Sequence, residues 1–185
     1  MVINEKALIR CMKEAYKNQG YTVAVFDGEM MITGGYWLVK MAETETSNQL
    51  RSLIALHMRD VPKEGEAYKV IKSHDGPIVQ RVIMETALGV LKNMEEKIED
   101  GDYTVIRKTD LRYGGGIIWQ NAKDLEVLMI DPRYEALLKS REDVERVGSG
   151  LYADDGTSTV WALGMKENAL KEKMEHLAKY RWVHG

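Results

Sequence analysis

One cysteine, one phenylalanine, three prolines and four histidines are spread over 185 residues, and each scarcity excludes something. A lone Cys11 forms no internal disulfide and no multi-cysteine metal site, as in a reducing compartment. His57, His74, His176 and His184 are scattered, and none stands at a two-ligand spacing from another His or Cys. No apolar run approaches the roughly 20 residues that span a bilayer. Met1-Val2-Ile3-Asn4 leads into a charged helical pattern rather than a signal peptide. A cytoplasmic protein with no membrane partner is the expectation.

Catalytic frames are missing as well. The chain has no GxSxG elbow, HExxH pair, EF-hand loop, Rossmann fingerprint or GxxxxGK(S/T) loop. Gly114 to Gly116 stands between strand patterns rather than before a helix, so it reads as a turn or bulge, as does Gly34-Gly35. Asp154-Asp155 before Gly156 reads as a hairpin tip rather than a cation site. Cys11 falls on an apolar helical stripe and His57 beside one; both read as packing. The expectations are therefore no enzyme activity, no cofactor and no metal.

Charge is divided unevenly. Overall the chain carries −3 at neutral pH, which gives no general attraction to nucleic acid. Up to Ile83 there are 11 basic and 10 acidic residues, net +1; from Met84 onward there are 15 and 19, net −4. The acidic side chains of the second part cluster: Glu95, Glu96, Glu99, Asp100 and Asp102; Glu142, Asp143 and Glu145; Asp154 and Asp155. Solvated helix faces account for such runs, and so does a surface that meets a basic partner. These residues are the candidate partner-binding set. Arg107, Lys108 and Arg112, with Tyr113 and Trp119 nearby, are the candidate nucleic-acid contacts.

What is present repeats. Tyr21-Thr22-Val23 is followed by Gly34 and Trp37, and Tyr103-Thr104-Val105 by Gly116 and Trp119. In both, the glycine comes 13 and the tryptophan 16 positions after the tyrosine, an offset of 82 between copies. The Asp-Gly turns at Asp75-Gly76 and Asp155-Gly156 are offset by 80. Around these points the periodicity predicts the same order twice. First comes a helix stopped by Gly20 or Gly101, then strands, then a short helix capped by Ser47 or by Asp131-Pro132, then a hairpin. In the second copy, Tyr103 to Lys108 and Leu111 to Tyr113 read as paired strands, Leu125 to Ile130 as another, and Arg133 to Ser140 as the short helix.

The expected fold is therefore α+β: two pseudo-repeated units of helix, antiparallel strands, short helix and hairpin, over residues 1–83 and 84–165. A C-terminal helix and tail follow over 166–185, and the whole can form one compact domain. That helix, Lys166 to Tyr180, has Ala169, Leu170, Met174, Leu177 and Ala178 on one face. Both aromatic frames read as strand residues packing equivalent cores.

Two resemblances follow. The repeated units, with Asp131-Pro132-Arg133-Tyr134 and Thr159-Val160-Trp161-Ala162-Leu163, are similar to DNA sliding-clamp domains, which are internally duplicated. The stretch Gly20-Tyr21-Thr22-Val23-Ala24-Val25, then Gly34-Gly35-Tyr36-Trp37, and the ending Tyr180-Arg181-Trp182-Val183 resemble small proteins of phages and conjugative elements in gut Firmicutes. Some of those are anti-CRISPR inhibitors of type II RNA-guided nucleases. The second resemblance implies a protein partner, a type II CRISPR effector nuclease. The first implies a clamp-like DNA accessory. Contact with DNA and homodimer formation both stay open.

Overall fold

The computed structural model describes residues 1–101, 103–113, 115–121, 127–140 and 143–165. The first unit opens with helix α1 (Glu5–Lys17), where Asn4 accepts a hydrogen bond from the Ala7 amide. Its periodic apolar positions Leu8, Cys11, Met12 and Ala15 are all buried. Strands β1 (Tyr21–Phe26) and β2 (Glu29–Thr33) are joined at Asp27-Gly28, whose φ values of 50° and 72° match the twist of a tight hairpin. Strand β3 (Trp37–Ala42) leads to α2 (Asn48–Met58), where Ser47 caps the Leu50 amide at 3.1 Å. The hairpin of β4 (Glu66–Ser73) and β5 (Gly76–Arg81) completes the unit.

The second unit repeats the order: α3 (Met84–Glu99), β6 (Tyr103–Tyr113), β7 (Gly116–Asn121), β8 (Val127–Ile130), α4 (Pro132–Glu135), then β9 (Glu145–Val147), β10 (Gly150–Asp154) and β11 (Ser158–Leu163). Asp131 caps α4 by accepting from the Arg133 amide at 2.8 Å, with proline at its first position.

All named strand pairs are antiparallel, in one sheet of 11 strands ordered β5-β4-β1-β2-β3-β11-β10-β9-β6-β7-β8. In the first unit the β4–β5 hairpin pairs directly with the meander at β1; in the second, β9 stands between the β10–β11 hairpin and the meander at β6. The units follow one another head to tail, joined where β3 pairs with β11 through Val39↔Val160 and Leu38↔Trp161. Helices α1 and α2 cover one face, over Tyr21, Val23, Ile32, Trp37 and Val70. Helix α3 covers the other with Ala87, Leu91 and Met94 against Ala24, Met31, Leu38 and Trp161. The α+β class expected from periodicity is the one observed, with strands dominant. Among the described residues no helix is long and apolar enough to cross a membrane.

Several local expectations are corrected. Tyr103–Tyr113 is one strand, not two, and its hairpin partner is β7. It pairs with β9 through Tyr103, Thr104 and Val105, then with β7 from Ile106 onward, with a register shift between Lys108 and Arg112. This irregularity increases local bending, and β7 and β8 bring Trp119, Leu128 and Ile130 into the same core as α1. The short helix spans four residues rather than Arg133 to Ser140. Strand β9 emerges from a stretch that reads only as charged. Strand β8 is described from Val127, and Leu125 and Lys166 to Tyr180 lie outside the described residues.

The two aromatic frames do not pack equivalently. Tyr21, Trp37 and Trp119 are buried, whereas Tyr103 is 49 % exposed. A Cβ on Gly34 would lie 2.6 Å from the Trp37 indole; on Gly116 it would meet Met129 instead. The frame marks equivalent chain positions, while the neighbours differ: Tyr21 lies on the face covered by α1 and α2, whereas Tyr103, opposite Val147, lies on the α3 side.

Candidate functional site

The acidic residues distribute according to the face each element buries. In α3 the inward positions Leu91 and Met94 leave Glu95, Glu96 and Glu99 exposed on the last turns, with Asp100 at the end. The C-terminal half of this helix leads toward β9. A cross-strand row runs Val105, Glu145, Tyr152, Trp161, Leu38 through β6, β9, β10, β11 and β3. Trp161 and Leu38 lie under α3; at the other end the row opens to solvent, with Val105 58 % exposed.

Tyr152 is the centre of this open end. Its hydroxyl is pushed up to about 12, by burial first and then by the charges of Asp154 and Glu145, a hydrogen bond to Asp154, and the charge of Glu95. Glu145 lies directly opposite Tyr152, and Asp154 two residues along the same strand, so the charges of a helix and two strands act on one phenol. Exposed Tyr103 stands on the same side of β6 as Val105, two residues along. The result is a mixed surface of carboxylates and apolar rings.

The other acidic positions are separate. Asp155 accepts hydrogen bonds from the Thr157 and Ser158 amides at 3.1 and 2.9 Å and lies 2.5 Å from the amino group of Met1. Its carboxyl is held well below the usual range by that ammonium first. It is a turn-forming group, as the hairpin-tip reading expects. Asp143, in the left-handed region at φ 55°, lines a groove with Val105, Arg107, Lys108 and Glu145. Asp102 and Glu142 lie outside the described residues.

The three cations of the nucleic-acid set do not converge. Lys108 Nζ is 2.7 Å from Glu135 Oε1, a carboxylate 4 % exposed, so its charge is engaged within the molecule. Arg107, one residue earlier, alternates to the other side of the strand and is exposed. Arg112 is exposed beyond the register shift, roughly 16 Å along an extended strand. Trp119 is fully buried, while Tyr113 contributes backbone pairing with Gly116.

Residues read as structural are structural. His57 Nδ1 is 3.0 Å from the Tyr21 hydroxyl, and its ring stacks on Tyr16 with centroids 3.9 Å apart. The Cys11 thiol is buried and pushed up to about 12, chiefly by desolvation, which leaves it protonated near neutral pH. Gly35 and Gly115 take φ of 87° and 83°, as turns between strands require. No group of His, Cys, Asp and Glu among the described residues is arranged to hold a metal ion.

The sequence reading missed the apolar half of the site. Tyr103 and Val105 look like core residues in a strand pattern, and no local signal distinguishes them from Tyr21 and Val23. The difference is one of face: Tyr103 and Val105 lie opposite Val147 and Glu145 on the α3 side of the sheet, and Tyr21 and Val23 lie under α1 and α2. No protein-family model matches this chain, and no curated protein shows a significant match to it.

Proposed function

We propose that this chain is a non-catalytic binding protein of a mobile genetic element, acting as an anti-CRISPR-like inhibitor of a type II RNA-guided DNA nuclease by protein-protein contact. The observation that carries this reading is a surface on which Glu145 lies opposite Tyr152, Asp154 stands two residues along the same strand and Glu95 is exposed on the last turns of α3, with exposed Tyr103 and Val105 on the neighbouring strand. Carboxylates steer a basic partner surface into place, and desolvated aromatic and aliphatic contacts supply the holding energy. A nuclease channel that binds nucleic acid is such a basic surface, and its phosphate-binding Lys and Arg are complementary to this face. The class of partner comes from the resemblance to mobile-element proteins.

The test is co-elution of the purified chain with a guide-loaded type II effector, together with protection of target DNA from cleavage. Wild-type protein is expected to give both, and Glu95→Lys combined with Glu145→Lys to lose both while remaining folded. Neither co-elution nor protection by the wild type overturns the reading.

A second reading, a clamp-like accessory in phage or plasmid DNA processing, is favoured by the head-to-tail succession of the two units in one sheet. Its exposed cations are Arg107 and Arg112, since Lys108 is engaged with Glu135. DNA affinity that is undetectable even at low salt overturns it.

A further inference from the structure

The outer edge of β5 is an unpaired strand edge with a defined hydrogen-bonding pattern. The Val82 amide donates to the Ala67 carbonyl at 2.8 Å, which fixes the alternation along the β4–β5 ladder. Pairs Lys69↔Gln80 and Ile71↔Ile78 exchange hydrogen bonds, while Tyr68↔Arg81, Val70↔Val79 and Lys72↔Pro77 do not. The N–H and C=O of Val79 and Arg81, and the C=O of Pro77, therefore point away from the sheet. Pro77 sits at a position where its missing N–H costs no ladder bond. Among the described residues no backbone group pairs with these five.

The side chains around the edge specify what fits. Lys69, Lys72 and Arg81 are exposed and enter no ion pair among the described residues. Lys72 and Arg81 lie on the sheet face of Val79, and Lys69 on the face of Ile78, which is 44 % exposed. A second copy pairing here would bring two such sets of cations together and would find one donor missing at each Pro77. Both features act against self-pairing.

We propose that this edge receives an extended acidic segment of a partner protein, which adds to the sheet as a further antiparallel strand. Main-chain bonds to Val79 and Arg81 supply the docking, acidic side chains meet Lys69, Lys72 and Arg81, and an apolar residue covers Ile78. The acidic surface at β9 and β10 lies beyond β3 and β11 from this edge, and strand addition requires nothing of it.

The probe is a capped, soluble peptide alternating Glu with Val, compared with its twin alternating Lys with Val, added to the full chain at low salt. The Glu peptide is expected to bind about tenfold more tightly than the Lys twin, from a few exposed charge pairs. It should also shift and protect the Val79 and Arg81 amides in NMR hydrogen exchange. Val79→Pro removes an outward N–H without touching the ladder to β4 and should abolish that binding. Should Val79→Pro fail to fold, Arg81→Glu with Lys72→Glu keeps the backbone donors and is expected to reverse the preference between the peptides. Equal binding of both peptides, or shifts confined to other strands, overturns the proposal. Protection of Val79 and Arg81 that appears without peptide and grows with protein concentration also overturns it, in favour of a second copy.

Discussion

The hydroxyl of Tyr21, first residue of β1, lies 3.0 Å from Nδ1 of His57 near the end of α2, and this buried contact ties the helix to the sheet. Desolvation first, and then the Lys13 charge, hold the imidazole below its ordinary 6.5. The unfolded chain therefore takes up a proton near pH 6.5 while the folded chain resists it. The contribution to stability is complete above that pH and is lost as pH falls toward the folded value. The thermal midpoint is expected to drop between about pH 7.5 and about pH 5, with a smaller slope in His57→Gln. Identical slopes in the two proteins would assign the dependence to other groups.

Gly34 is required by space. An added Cβ would sit 2.6 Å from two atoms of the Trp37 indole, and that ring is 2 % exposed. Gly34→Ala is expected to destabilise by about 1–3 kcal/mol, the range for overpacking. Gly28, at φ 72° with open space around it, should lose only about 1 kcal/mol as Ala from backbone strain, and less as Asn. Chemical denaturation of the three variants checks the ordering.

The Lys108–Glu135 pair is asymmetric, with side chains 27 % and 4 % exposed. Lys108→Met takes one partner, at 2.7 Å, away from a buried carboxylate and is expected to cost about 3 kcal/mol. Glu135→Gln leaves an ammonium that still reaches water and should cost about 1–2 kcal/mol. Equal losses in denaturant unfolding would show that burial does not set the balance.

Arg59 closes α2 at φ 76°, a conformation that L side chains disfavour and glycine accepts. Arg59→Gly is expected to stabilise by about 1 kcal/mol, read as a higher denaturation midpoint. Val61→Gly, outside the left-handed region, is the control that should not gain.

Local physics made much of the architecture readable. Ser47 and Asp131 cap where caps were expected because a side-chain oxygen two or three residues before a free amide is a short-range interaction. Gly20 and Gly101 take positive φ where helix stops were expected. The structural readings of Cys11 and His57 rested on helical periodicity, which acts within a few residues. The single long β6 was not readable because tertiary pairing with β7 and β9 overrides propensity there, and the four-residue extent of α4 was not because the residues after it pair with Val2, Ile3 and Asn4 instead.

The sequence by itself determined the α+β class, the repeated order of elements and the sign of charge on each stretch, because periodicity, capping and composition act along the chain. Only the tertiary structure decided that the frames diverge. Tyr21 is buried under α1 and α2, whereas Tyr103, opposite Val147, faces the α3 side of the sheet and is exposed there. Tertiary pairing likewise places Glu145 opposite Tyr152, brings the charge of Glu95 from far earlier in the chain to bear on the same phenol, and leaves Lys108 bound to Glu135. Which face a residue occupies depends on what packs across the sheet, and no spacing along the chain contains that information.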